Sequence, residues 1–177
     1  MTDSPVVLVI DDEEIIREAL EALLGADGYT VVSAGTAAAG LEALAARRVD
    51  AVLLDLMLPD RDGMEVLEDI RRIDDELPVV MITAFGTIES AVEATKQGAF
   101  HYFTKPFKND DVLVVLRNAI ERRRLVLENR ELRDRLRSDT HRFDDIIGGS
   151  AKIRDVYDLV ARAAPSRATV LIQGESG

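Results

Sequence analysis

The sequence predicts an α/β fold in which a parallel sheet of five strands is covered by helices on both faces. Five short runs of consecutive apolar residues alternate with segments whose apolar residues recur every three or four positions. Continuous apolar runs are typical of strands that are buried on both faces. Strands that alternate with helices form right-handed crossovers, and these produce a parallel sheet.

Each predicted element has its own local signal. Thr36 is a helix-capping residue, Gly63 or Met64 opens a helix after a polar turn, and Gly98 ends one. A last, long helix begins near Asp110 and contains neither Gly nor Pro as far as Ser138. The predicted strands are 6–10, 29–33, 52–55, 79–83 and 100–104.

Composition excludes several classes of protein. The sequence contains no Cys, so it has neither disulfides nor thiolate metal sites. It contains no apolar run of membrane-spanning length, and residues 1–5 do not resemble a signal peptide, so we expect a cytoplasmic protein without a membrane partner. Up to Asp111 there are 23 acidic and 9 basic residues, a balance that disfavours nucleic-acid binding and suits a cation site.

Polar residues end four of the predicted strands. Asp11 and Asp12 follow the first strand, Asp55 ends the third, Thr83 ends the fourth, and Lys105 follows the fifth. In a parallel sheet all of these positions lie at the same, C-terminal edge, where open α/β sheets bind ligands. Clustered carboxylates repel one another unless a cation lies among them, and oxygen ligands with open positions suit Mg²⁺. The cluster therefore predicts a site for phosphoryl transfer to a carboxylate.

The motifs Asp11-Asp12, Asp55, Thr83-Ala84 and Lys105-Pro106 resemble, in order and spacing, the receiver domain of two-component response regulators. The resemblance covers residues 5–124. It implies a flavodoxin-like (CheY-like) doubly wound sheet of order 2-1-3-4-5 and a cis Lys105–Pro106 peptide. We assign residues 1–124 to this domain.

The resemblance also implies a role for each residue of the site. Asp55 accepts a phosphoryl group from a sensor histidine kinase, and Lys105 contacts that group. Asp12, Asp55 and the backbone carbonyl of Met57 bind Mg²⁺ directly, and Asp11 binds it through water. Thr83 then moves toward the phosphoryl group and Tyr102 swings inward behind it, which changes the surface of the domain.

Two apolar residues flank the predicted site. Met57 follows Asp55 by two positions, and Phe85 follows Thr83 by two. Because apolar side chains impede a hydrolytic water, we expect slow spontaneous loss of the phosphoryl group.

A short heptad pattern follows the receiver-like region. Leu125, Asn129, Leu132 and Leu136 are spaced by four, three and four residues, as in the seam of a two-stranded coiled coil. This pattern favours a parallel homodimer through residues 125–142 and the receiver. A simply solvated helix is the alternative.

Residues 143–177 resemble the start of the AAA+ ATPase domain of sigma-54-dependent (NtrC-like) enhancer-binding activators. The last four residues, Gly174, Glu175, Ser176 and Gly177, match the opening of their phosphate-binding loop. The later Gly, Lys and Ser/Thr of that loop are missing. We therefore expect no ATPase activity and no direct DNA binding from this chain.

Together these features predict the phosphorylation-dependent input module of a transcriptional regulator and not an enzyme in its own right. In the parent protein, the resemblance implies an ATPase that acts on RNA polymerase with sigma-54 from enhancer DNA. One alternative is an aspartyl-phosphate hydrolase. Enzymes of that family, however, carry a second Asp two residues after the nucleophile, and here that position is Met57. Another is a dimerisation scaffold that works without phosphorylation.

Overall fold

A computed structural model describes residues 4–84 and 86–140, together with the helical residues 156, 159 and 160. Between residues 4 and 140, in the part that the structure describes, five strands and five helices alternate, as predicted. They are β1 (Val6–Ile10), α1 (Glu14–Ala26), β2 (Thr30–Ala34), α2 (Ala37–Ala46), β3 (Ala51–Asp55), α3 (Gly63–Ile73), β4 (Val79–Thr83), α4 (Ile88–Lys96), β5 (His101–Thr104) and α5 (Asn109–Thr140).

The five strands form one parallel sheet of order β2-β1-β3-β4-β5, which confirms the predicted topology. The second and fifth strands each begin one residue later than predicted, at Thr30 and His101. The order places β1 and β3 side by side in the middle of the sheet. The residues that follow these two strands therefore lie next to each other at its C-terminal edge.

Alternating side chains of the central strands supply two separate cores. Leu8, Ile10, Leu54 and Met81 belong to the core on the side of α2, α3 and α4. Their neighbours along the strands point to the other face, where α1 and α5 cover them; this second core includes Val7, Val9, Leu53, Val80, Ile82, Leu20, Leu24, Val112 and Leu116. Burial on both faces explains why the strands read as continuous apolar runs.

The loop between β3 and α3 is closed by a tight backbone contact. The N–H of Gly63 donates to the carbonyl oxygen of Leu56 at 2.8 Å, and Met57 pairs with Asp62 across the loop. A Cβ atom at position 63 would lie 2.3 Å from the carbonyl oxygen of Asp55 and 2.7 Å from Cα of Leu56. Only glycine permits this approach.

Helix α5 is 32 residues long, and only its first turns cover the sheet. Val112 and Leu116 are fully buried, whereas residues 128–134 are exposed. Arg123 donates to Asp74 at 2.7 Å and so ties the helix to the end of α3. The chain divides into two compact units, Met1–Asn129 and Arg130–Gly177.

No helix in the described part of the chain is long and apolar enough to cross a membrane. Nearly all of the predicted AAA+ segment, 143–177, lies outside the described residues. Its three described positions, 156, 159 and 160, are helical.

We predict that Gly63→Ala destabilises the protein by about 2–3 kcal/mol, because the new methyl group meets backbone that has no room to move. Gly25→Ala is the matched control. It lies within α1 with nothing within 4 Å of its Cβ position, so it should stabilise by about 0.5–1 kcal/mol. Urea unfolding of both variants measures the difference, and equal effects would contradict the close approach.

Candidate functional site

The strand-end residues predicted from the sequence do converge at the C-terminal edge of the sheet. Asp11 directly follows β1, Asp55 is the last residue of β3, Thr83 is the last residue of β4, and Lys105 directly follows β5. The backbone N–H of Lys105 donates to the carbonyl oxygen of Thr83 at 2.7 Å, and the Lys105–Pro106 peptide is cis, as predicted.

The ammonium of Lys105 lies among three carboxylates. Its Nζ donates to Asp55 Oδ2 at 2.7 Å and to Glu13 Oε1 at 2.8 Å. It also lies 2.8 Å from Asp11 Oδ2, an ion pair that lacks hydrogen-bond geometry. The Lys105 side chain is 10% exposed and Asp11 and Asp55 are buried, so these charges interact with little screening.

Asp55 is more enclosed than the sequence suggested. The loop-forming residues that follow Asp55 in the sequence predict a carboxylate that is reachable from solvent, but its side chain is only 5% exposed. The lysine ammonium lies against Oδ2, and the N–H of Met57 donates to Oδ1 at 2.9 Å. Both carboxylate oxygens therefore have a donor in this state.

The pKa values of Asp11 and Lys105 are both raised, but for different reasons. Burial raises the pKa of Asp11 above its ordinary value, although Lys105 and the N–H of Glu13 oppose this effect. Burial also disfavours the ammonium of Lys105, but its attraction to the three carboxylates outweighs burial and raises its pKa. The site therefore favours the charged form of Lys105 and disfavours that of Asp11.

A different set of three carboxylates, those of Asp11, Asp12 and Asp55, is suited to a metal ion. One oxygen from each of Asp11, Asp12 and Asp55 lies within 4.8 Å of the others, and Asp12 is exposed to solvent. Oδ2 of Asp11 is buried and accepts no hydrogen bond, and its charged neighbour is the Lys105 ammonium at 2.8 Å. An all-oxygen set with an open, solvent-facing side fits Mg²⁺.

Sequence reasoning missed two residues of the site. Glu13 supplies the third carboxylate around Lys105, and its N–H donates to Asp11 Oδ1 at 2.9 Å. Arg17 donates to the carbonyl oxygen of Asp11 at 2.7 Å from the next turn of α1. Glu13 adjoins the acidic pair in the sequence, which was an available signal, but Arg17 carries no signal apart from the structure.

Thr83 and Tyr102, the predicted switch residues, lie on neighbouring strands. Thr83 is fully buried and Tyr102 is half-buried. The Tyr102 hydroxyl lies 2.8 Å from Oγ of Ser90, which also forms a capping box with Thr87 at the start of α4. Tyr102 is thus bonded to the first turn of α4, a partner that its place in a strand did not indicate.

The predicted shielding residues differ in what is known of them. Met57 is 58% exposed beside Asp55, as expected for a residue at the mouth of the site. Phe85 lies outside the described residues, so the two-sided shield stays a prediction.

The predicted dimer seam lies on α5. Leu125 and Leu132 are 53% and 51% exposed, and Asn129 is exposed as well. Leu136 belongs to the helix, but its side chain is outside the described residues. Exposed leucines at heptad spacing suit a coiled coil, although exposure alone leaves the solvated helix open. The predicted phosphate-binding-loop residues, Gly174, Glu175, Ser176 and Gly177, also lie outside the described residues.

We predict that Asp11→Asn raises the melting temperature, measured without divalent metal, by about 2–4 °C, the shift that roughly 1 kcal/mol produces. The neutral amide removes a buried charge whose pKa is raised. The gain should shrink as the pH falls through that raised pKa, because the parent carboxylate then becomes neutral in the folded state.

Asp12→Asn serves as the matched control, since it removes a neighbouring but exposed carboxylate and should change the melting temperature by less. A fall in melting temperature for Asp11→Asn would show that the pair with Lys105 outweighs the cost of burial.

Comparison with known proteins agrees with the fold. Residues 7–117 match the response regulator receiver domain. The chain is 37% identical over 173 residues to the nitrogen assimilation regulatory protein NtrX of Azorhizobium caulinodans and 36% identical over 172 residues to the DNA-binding transcriptional regulator NtrC of Escherichia coli (strain K12). Each alignment covers 97% of this chain but only 37% and 36% of the relative, so the chain spans little more than a third of their length.

Solved structures show the same relationship. The receiver domain of NtrX from Brucella abortus is 39% identical with a TM-score of 0.62, and the match covers 65% of this chain and 98% of that one. A response regulator receiver domain protein from Clostridium thermocellum is 34% identical with a TM-score of 0.66, covering 69% and 98%. The chain therefore belongs to the two-component response regulators and carries their receiver domain, with NtrX and NtrC among its relatives.

Proposed function

We propose that this chain receives a phosphoryl group on Asp55 and passes the resulting change to a transcription-activating ATPase in the parent protein. The observation that carries the proposal is the contact of Lys105 with Asp55 beside two further aspartates at one end of the sheet. A carboxylate needs such neighbours to accept a phosphoryl group. A positive charge must neutralise the incoming oxygens, and oxygen ligands must hold a metal beside them.

In the transfer, an oxygen of Asp55 forms a bond to phosphorus as the bond between phosphorus and the kinase histidine breaks, and the bonding pair returns to the histidine nitrogen. Mg²⁺ held by Asp11, Asp12, Asp55 and the carbonyl of Met57 would supply positive charge to the phosphoryl oxygens. Lys105, already 2.7 Å from Oδ2, donates to one of those oxygens once Oδ2 is bonded to phosphorus.

The structural change is then transmitted from Asp55 through the neighbouring strands β4 and β5. Thr83 ends β4 beside Asp55 and offers its hydroxyl to the new group. Tyr102 lies on β5, next to β4, and its hydroxyl is bonded to Ser90 in α4. Inward movement of Tyr102 breaks that bond and frees the first turn of α4, so the surface made by α4, β5 and α5 changes.

The functions of residues 125–177 are inferred from the resemblance of residues 143–177 to an AAA+ domain and from the relatives NtrX and NtrC. Residues 125–142 form a dimerising linker, and residues 143–177 begin an AAA+ domain that works with RNA polymerase and sigma-54 at enhancer DNA. The cognate partner is a sensor histidine kinase in the cytoplasm. Phosphorylation changes how two receivers pair, and the linker passes this change to the ATPase.

Incubation with a small phosphodonor and Mg²⁺ tests the first step. We predict that intact mass measurement shows one added phosphoryl group on the parent chain, meaning the unsubstituted sequence, and none on Asp55→Asn. Asp75→Asn, an exposed aspartate in the loop before β4, is the matched control and should be phosphorylated like the parent.

Chelation of Mg²⁺ should abolish the addition to the parent. An Asp55→Asn variant that still gains the group, or a parent chain that gains none, would overturn the proposal and leave the phosphorylation-independent scaffold. Rapid loss of the group with release of phosphate would favour the hydrolase instead.

The dimer seam is tested by sedimentation velocity. We predict that the parent chain sediments as a dimer and that Leu132→Asp converts it to a monomer, because a charge in the seam would be buried without a partner. Ile73→Asp, at a similarly exposed apolar position at the end of α3, should leave the dimer intact. A parent chain that is monomeric with and without a phosphoryl mimic contradicts the seam.

A further inference from the structure

The loop between β3 and α3, residues 56–62, is bonded at its tip to a helix that is distant in the sequence. Asp60 Oδ1 accepts the N–H of Ala37 at 2.9 Å, and its Oδ2 accepts the N–H of Ala38 at 3.0 Å. Ala37 and Ala38 are the first two residues of α2. Both oxygens of one carboxylate therefore grip the start of a helix from a loop more than 20 residues away.

This contact is charge-assisted. The N–H groups of Ala38 and Ala37 hold the pKa of Asp60 below its ordinary value, so the group is ionised at neutral pH. A carboxylate is also favoured by the positive end of the helix dipole. Helix α2 already has a conventional cap, because Thr36 accepts the N–H of Ala39 at 3.2 Å. The second cap from Asp60 thus restrains the loop as well as the helix.

The other bonds of the loop lead to the proposed metal site. The N–H of Met57 donates to Asp55 Oδ1, and Met57 pairs with Asp62 on the returning strand of the loop. Asp60 lies at the turn between Met57 and Asp62. With Asp60 bonded to α2, the loop is restrained at its tip as well as at its two ends.

We propose that Asp60 is a positioning residue for the metal site, acting by holding the loop that presents the carbonyl of Met57. It touches neither the acceptor Asp55 nor the other two carboxylates in any described contact; its bonds go to α2. The inference rests on the proposed Mg²⁺ site. Residues that orient the ligands of a metal commonly change its affinity although they never contact the ion.

The test measures Mg²⁺ affinity by isothermal titration calorimetry and melting temperature by calorimetry, on the full chain. Asp60→Ala should weaken Mg²⁺ binding by about tenfold. Thr36→Ala is the matched control, because it removes a cap from the same helix without touching the loop. It should lower the melting temperature by a similar amount and leave Mg²⁺ affinity within about twofold of the parent, as expected for a site it does not orient.

Asp60→Asn adds a graded variant, since its amide keeps one of the two acceptor oxygens. Its Mg²⁺ affinity should lie between those of the parent and Asp60→Ala. If Asp60→Ala binds Mg²⁺ as tightly as the parent while losing stability as Thr36→Ala does, Asp60 is only a helix cap and the inference is wrong. If the parent itself binds no Mg²⁺, the metal site of the proposed function fails first.

Discussion

One ammonium among three carboxylates is the interaction on which the site depends. Without Lys105, Asp11 and Asp55 would be two buried like charges at the ends of adjacent strands, an arrangement that raises pKa values and opposes folding. Lys105 reaches them because β5 ends at the same edge and its backbone N–H is bonded to the end of β4. The parallel sheet thus brings the carboxylates of Asp11 and Asp55 together, and the ammonium of Lys105 offsets their repulsion.

The same arrangement leaves the site poised for a change. Burial raises the pKa of Asp11 and so disfavours its charged form, and Oδ2 of this residue accepts no hydrogen bond. Glu13 is the exposed partner of Lys105, because 57% of its side chain is accessible to solvent. It can therefore move away from the ammonium into solvent without becoming a buried, unpaired carboxylate. Stability given up at a functional site is common in proteins, and here it is concentrated in residues that a cation and a phosphoryl group would engage.

The sequence predicted the architecture well because each signal was local. Continuous apolar runs identified the strands, and their polar ends identified Asp11, Asp55, Thr83 and Lys105. It was less informative about contacts between distant segments. The bonds from Lys105 to Glu13, from Asp60 to α2 and from Tyr102 to Ser90 join residues that are 92, 23 or 22, and 12 positions apart. No local pattern specifies such pairs, and the low exposure of Asp55 was likewise not evident from the loop-forming residues that follow it.

The most direct test of the account is to locate the phosphoryl group. The phosphorylated chain is reduced with borohydride, which converts an aspartyl phosphate to homoserine, and its peptides are then sequenced by mass spectrometry. We predict conversion at Asp55 alone. Conversion at Asp11, Asp12 or Asp60 in place of Asp55 would contradict the assignment of the acceptor.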